Sequence, residues 1–204
     1  MKPLGRLYAI ADASFGDPVQ LADRLFDGGA RLLQVRNKKG SSRDILHQVE
    51  HILSFAPKDA VVIVNDRIDI ALMTGAAGVH VGQTDLPPIE ARRIVGLDRI
   101  VGVSTHSFEQ ASLADRLPVD YVAFGPVFPT RTKENPDAVV GIEGLAGVCK
   151  AVAKPVVAIG GIRLENAGKI LKAGAAAVAV IRDILESTDI SARVKIWLEV
   201  LKTS

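Results

Sequence analysis

Short runs of β-branched and aliphatic residues alternate along this chain with stretches whose apolar positions recur at three- and four-residue spacing. The runs are Arg6 to Ala11, Leu32 to Arg36, Ala60 to Val64, Gly78 to Gly82, Ile100 to Ser104, Tyr121 to Gly125, Val156 to Gly160 and Ala177 to Ile181. They predict strands, and the stretches between them predict helices. Pro18 to Asp27, for example, brings Val19, Ala22, Leu25 and Phe26 to one helical face behind a cap at Asp17, and Ser42 to Phe55 reads the same way. Gly28-Gly29-Ala30, Gly75-Ala76-Ala77-Gly78 and Ala173-Gly174-Ala175-Ala176 read as helix ends leading straight into the next strand. Such a rhythm of βα units argues for a parallel sheet. Eight units within 204 residues predict a single compact (βα)8 TIM barrel spanning 1–204, near the lower size limit of that architecture. A doubly wound open sheet fits less well, because no Gly-x-Gly-x-x-Gly turn follows the first run and polar residues end nearly every run.

In a barrel all strand C-termini open on one face, so the polar run ends would converge there. They are Gln34, Arg36 and Lys38; Asn65 and Asp66; Gln83 and Asp85; Ser104; and Thr130, Thr132 and Lys133. Cations, two separated carboxylates and neutral donors suit a polyanion carried by Mg²⁺: carboxylate oxygens take the metal while Arg and Lys take the remaining phosphate charge. Strand alternation sends Gln34, Arg36 and Lys38 to one side, expected to be the barrel axis; the plainer alternative is a solvated strand end. Asp66 and Asp85, on neighbouring strands, can share one Mg²⁺. Each also has a second reading as a helix cap, Asp66 for Arg67 to Met73 and Asp85 for the helix after Leu-Pro-Pro.

Two further segments stand out. Gly125 to Lys133 carries two prolines, then two hydroxyls and two cations, within the longest irregular stretch, Pro126 to Val140; a phosphate-binding lid has this composition. Gly160-Gly161 and Ile181-Arg182 follow the seventh and eighth runs, where barrels commonly cradle a phosphate through backbone N–H groups. His80 alternates with Val79 and Val81 and can line the site, whereas His47 and His51 read as a solvated helix face. His106 lies just past Ser104, and no nucleophile triad is recognisable.

Composition narrows the partners. The balance of 25 basic and 23 acidic residues gives +2, too little for a sequence-independent grip on nucleic acid or an anionic membrane. Small-molecule substrates are therefore expected. Cys149 is the one cysteine, so no disulfide can form within the chain and no zinc cluster of cysteines exists. No segment approaches the roughly 20 apolar residues of a membrane helix, and the cytoplasm is the expected compartment. The residues carry no sign of an oligomeric state.

Taken in order, Leu7 to Asp12, Gln34-Val35-Arg36-Asn37-Lys38, Asn65-Asp66-Arg67, Gly78 to Asp85, Gly102 to Ser104, Asp120 to Lys133 and Ala158 to Ile162 make the chain resemble the thiamine-phosphate synthase (thiamine-phosphate pyrophosphorylase) family over almost its whole length. The resemblance implies a barrel transferase that joins hydroxymethylpyrimidine diphosphate to hydroxyethylthiazole phosphate and releases pyrophosphate. It implies Mg²⁺ on Asp66 and Asp85. Gln34, Val35, Arg36, Asn37, Lys38, Asn65, Ser104 and Lys133 would form the pyrimidine-diphosphate site. Thr130, Arg131, Thr132, Gly161, Ile181 and Arg182 would form the thiazole-phosphate site. Catalytic roles fall to Arg36, Lys38, Lys133 and Ser104. Two positions depart from the family's pattern: Arg182 stands where serine is usual, and Asn37 where an acidic residue is common. A thiazole tautomerase on the same barrel is the rival enzyme reading, but those relatives carry histidine where this chain has Pro126 and tend to lose the aspartates. A non-catalytic binding or regulatory protein on this fold is the third reading.

Overall fold

Each apolar run becomes a strand, within a residue of its expected bounds. The computed structural model describes residues 5–132 and 137–203. In chain order its elements are β1 (Leu7–Asp12), a 3-10 turn (Ala13–Phe15), α1 (Pro18–Asp27), β2 (Leu32–Arg36), α2 (Ser42–Phe55), β3 (Val61–Asn65), α3 (Ile68–Thr74), β4 (Gly78–Val81), α4 (Pro88–Val95), β5 (Ile100–Thr105), α5 (Phe108–Asp115), β6 (Tyr121–Phe124), α6 (Gly141–Ala151), β7 (Val156–Ile159), α7 (Leu164–Lys172), β8 (Ala177–Val180), α8 (Arg182–Leu185) and α9 (Ile190–Thr203). The strands are parallel and close into a barrel in sequence order, β8 pairing with β1. β1 runs one residue further than its apolar character suggests, because Asp12 stays in the ladder opposite Arg36.

Period-2 alternation divides the strand residues between two cores. One face of every strand packs outward against the helices: Ala9, Leu33, Val35, Val64, Val79 and Val103 belong to this layer. The other face fills the barrel with Tyr8, Ile10, Leu32, Ile63, Tyr121, Ala123, Val157, Ala177 and Ala179. Two tyrosines fit inside only because smaller residues oppose them. A Cβ on Gly102 would lie 2.0 Å from Tyr121 Cζ, so any side chain there would displace the ring.

Local chemistry sets the helix starts. Asp17 accepts from the Val19 N–H, as its capping position predicts. Ser41 and Asp44 form a reciprocal capping box at α2, and Ser107 accepts from the Gln110 N–H at α5. The eighth strand is followed by two helices. Asp183 of short α8 takes a two-pronged ion pair from Arg193 and a 2.7 Å hydrogen bond from the buried Trp197 indole, so α9 fixes the turn at the end of β8.

Candidate active site

At the C-terminal mouth polar side chains join the apolar interior: Gln34 stands in register with Ile10 and Ile63, and Asp12 and Asn65 lie two residues further along those strands. Gln34 and Arg36 face the axis, as alternation predicts. Arg36 donates to Asp12 Oδ2 at 2.5 Å, and the other Asp12 oxygen accepts from the Ser14 N–H and hydroxyl. Asp12 is buried and pins the guanidinium at the rim. This carboxylate was not among the expected site residues; its place at the end of an apolar run was the available clue. Gln34 is buried and donates to the Tyr8 hydroxyl at 2.9 Å.

Val35 points outward into the helix layer. Asn37 likewise turns to the loop, donating to Gln48 Oε1 and accepting from the Lys39 and Gly40 N–H groups. A substrate contact by either would run through the backbone. Beyond the strand end, Lys38 reaches Asp66 Oδ2 at 2.5 Å.

Neither aspartate caps a helix. The N-cap position of α3 is Arg67 and that of α4 is Pro87, both without a side-chain cap bond. Asp66 instead holds φ +61°, a left-handed conformation uncommon outside glycine and concentrated at functional positions. Its N–H donates to the His80 carbonyl, while Asp85 accepts from the Gly82 N–H at 2.7 Å. Burial raises the Asp66 carboxyl above its ordinary value; Lys38 opposes this, and the adjoining Asp85 carboxylate pushes it up again.

The raised value links to stability with a definite sign. The folded state binds this proton more tightly than the unfolded one, so Asp66 subtracts stability as pH rises through and above the ordinary carboxylate range. Asn keeps the side-chain shape and tolerates positive φ. In the absence of Mg²⁺, Asp66→Asn is therefore expected to gain stability relative to the unsubstituted protein as pH rises from about 4. Denaturant midpoints across pH check this; a difference that stays constant with pH would contradict it.

Two carboxylates brought together against their own repulsion suit a divalent cation. No group of three or more His, Cys, Asp or Glu residues able to hold a metal occurs among the described residues. A cation at Asp66 and Asp85 would thus draw its other ligands from water and substrate, the manner in which Mg²⁺ is commonly held.

Ser104 stands at the end of β5, its Oγ 2.8 Å from His80 Nε2, and Gln83 donates to its carbonyl. Asn65 ends β3 in register with His80. Across the mouth, the segment after β6 lies along the end of β7: Val127 and Phe128 donate to the Ile159 and Gly160 carbonyls. A Cβ on Gly160 would meet Pro126 Cα at 2.4 Å, and one on Gly161 would meet the Pro129 carbonyl at 2.5 Å, so this loop requires both glycines whatever they bind. Thr130 and Thr132 hydroxyls lie 3.3 Å apart. His106 bonds the Gly125 carbonyl at 2.6 Å and pairs with Asp137, tying together the two ends of the irregular stretch. Lys133 lies outside the described residues.

Arg182 opens α8 beside the Ile181 turn. Its guanidinium pairs with Glu186, sits 5.1 Å over the Phe15 ring and donates to the Arg131 carbonyl at 3.3 Å; Nε is buried with no hydrogen-bond partner among the described residues. The arginine at this unusual position thereby fastens the Thr130 to Thr132 loop to the end of β8. His47, by contrast, pairs with Glu50 on an exposed helix face, and His51 packs edge-on against Phe55, as a solvated pair would.

Fold and mouth together define a (βα)8 barrel whose rim carries paired carboxylates beside Lys38 and Arg36. Residues 7–184 match the family model described as thiamine monophosphate synthase. The thiamine-phosphate synthase of Koribacter versatilis (strain Ellin345) is 49% identical over 189 residues, covering 89% of this chain and 90% of that one. That of Chlorobium phaeovibrioides (strain DSM 265 / 1930) is 46% identical over 173 residues, 84% of this chain and 83% of the other. The solved thiamine phosphate pyrophosphorylase of Pyrococcus furiosus superposes with a TM-score of 0.90 at 33% identity, covering 97% and 96% of the two chains. The chain belongs to the thiamine monophosphate synthase family, and with it to the transferases of thiamine biosynthesis.

Proposed function

We propose that this mouth condenses hydroxymethylpyrimidine diphosphate with hydroxyethylthiazole phosphate, giving thiamine phosphate and pyrophosphate. The activity is thiamine-phosphate synthesis, a transferase reaction. The observation that carries the reading is the juxtaposition of Asp66, Asp85 and Lys38 beside an Arg36 held by Asp12, at the rim of a barrel of this family. This grouping suits a diphosphate leaving group. It has no use in a simple isomerisation, and Pro126 stands where tautomerases carry histidine.

Asp66 and Asp85 would hold Mg²⁺, which supplies positive charge to the departing diphosphate when bound. Lys38 and Arg36 stand beside it, and Lys133 would join them, so that charge is met by fixed cations as it develops. The carbon–oxygen bond to diphosphate breaks with its electron pair leaving on oxygen; the pyrimidine ring stabilises the resulting cation, and the thiazole nitrogen's lone pair forms the new carbon–nitrogen bond. No side-chain nucleophile is needed. Gln34, Asn65 and Ser104 orient the pyrimidine end, with Val35 and Asn37 able to contribute backbone groups. Thr130, Arg131, Thr132, Gly161 and the Ile181-Arg182 turn receive the thiazole phosphate. No helix among the described residues is long and apolar enough to cross a membrane.

Pyrophosphate release tests the reading. It is expected only when both substrates and Mg²⁺ are present; rearrangement of the thiazole phosphate alone, without pyrophosphate, would favour the tautomerase instead.

Arg182 offers a second test. Because it tethers the loop through the Arg131 carbonyl, Arg182→Ser is expected to raise the KM for thiazole phosphate by up to about tenfold, the worth of one hydrogen bond, and to leave the pyrimidine diphosphate unaffected. Titrating each substrate against an excess of the other checks this. A selective loss for the diphosphate would mean that the two halves of the pocket are reversed.

A further inference from the structure

Beneath the mouth, five polar side chains from five strands form one hydrogen-bonded line across the barrel interior. Gln34 Nε2 donates to the Tyr8 hydroxyl at 2.9 Å, the Tyr8 and Tyr121 hydroxyls lie 2.9 Å apart, Tyr121 Oη is 2.8 Å from His80 Nδ1, and His80 Nε2 is 2.8 Å from Ser104 Oγ. Both tyrosines are fully buried, and burial holds their phenols far above the ordinary value, so each keeps its proton.

Counting protons gives the line a direction. The Gln34 amide occupies the Tyr8 oxygen as donor, so the Tyr8 proton goes to Tyr121. The Tyr121 proton then goes to His80 Nδ1, which must carry none of its own. If the imidazole is neutral it has one N–H, which this direction puts on Nε2, facing Ser104. Ser104 Oγ is thereby engaged as an acceptor from below, and its own proton remains for a ligand. Exchanging the ends of the Gln34 amide would reverse every link and turn the Ser104 proton down onto His80. The orientation of one buried amide thus governs the hydrogen-bond character of a residue at the mouth.

We propose that Tyr8, Tyr121 and His80 are positioning residues that hold Ser104 as a hydrogen-bond donor toward an acceptor atom of the pyrimidine diphosphate. This rests on the function proposed above for the ligand, but not for the relay itself. A set of groups that merely satisfies buried polar atoms would fill the same space without acting through Ser104.

The relay is read first without substrate, from the ¹⁵N shifts of the imidazole nitrogens, with His80→Asn assigning the His80 signals among the four histidines. A single neutral tautomer protonated at Nε2 is expected; the Nδ1-protonated tautomer or an imidazolium would overturn the relay. Kinetics then test its effect. Tyr121→Phe is expected to lower kcat/KM for the pyrimidine diphosphate by about tenfold, to leave the KM of thiazole phosphate unchanged, and to have no further effect in a Ser104→Ala background. Equal losses in both backgrounds would overturn the proposal. Should Tyr121→Phe not fold, Tyr8→Phe enters the same cycle. Absence of turnover in the unsubstituted protein would overturn the function and the ligand named here, while the tautomer tests the relay independently.

Discussion

Asp85→Asn is expected to lower Mg²⁺-dependent turnover by at least about a hundredfold while leaving the folded state close to its original stability, consistent with the loss of one preorganised electrostatic partner at a reacting centre. The substitution is chosen for what it keeps. An asparagine oxygen can still accept from the Gly82 N–H, which is the hydrogen bond Asp85 makes in the structure. What disappears is the charge. Asp66→Asn is expected to be as inactive, and to gain stability at neutral pH, because it removes a desolvated carboxylate held against Asp85. Helix capping predicts the opposite pairing: lower stability by about 0.5–2 kcal/mol with activity retained. Steady-state rates over a Mg²⁺ series, beside denaturant melts, separate the two. Full Mg²⁺-dependent turnover in both variants would remove the metal assignment.

Arg36→Ala should be the other severe change, and its design must allow for Asp12. Removing the guanidinium alone strands a buried carboxylate, and breaking such a pair costs roughly 3–5 kcal/mol, although the Ser14 N–H and hydroxyl still serve one Asp12 oxygen. The informative protein is the double variant Asp12→Asn with Arg36→Ala, which leaves no unpaired charge. If Arg36 meets charge that builds on the departing diphosphate, the double variant stays folded and loses about 10²–10³ in kcat, with a smaller change in KM. A change confined to KM would show that Arg36 binds the diphosphate equally well before and during bond breaking.

The barrel was legible because its strands are apolar where both faces are buried, and because caps such as Asp17 announce helix starts. The convergence at the mouth was legible for Gln34, Arg36, Asp66 and Asp85, since a parallel barrel brings its strand ends to one side. Other parts depend on contacts no local pattern contains. Asp12 stands just past the first apolar run, with no local pattern to give it a role, yet it fixes Arg36 from the adjacent strand. The line from Gln34 to Ser104 joins residues far apart in sequence, and only the closed sheet, with Gly102 leaving space for Tyr121, brings them into reach. Asp183, Arg193 and Trp197 lock the β8 turn through a helix whose sequence shows only amphipathic spacing. Arg182 was visible as an unusual residue, but its contact with the Arg131 carbonyl needed the loop's path.

The most direct measurement is product stoichiometry. The protein is incubated with hydroxymethylpyrimidine diphosphate, hydroxyethylthiazole phosphate and Mg²⁺, and thiamine phosphate and pyrophosphate are quantified together, with Asp85→Asn alongside. One-to-one formation of the two products by the unsubstituted protein, and of neither by the variant, is the predicted result. Pyrophosphate without thiamine phosphate, or equal product from both proteins, would contradict the account.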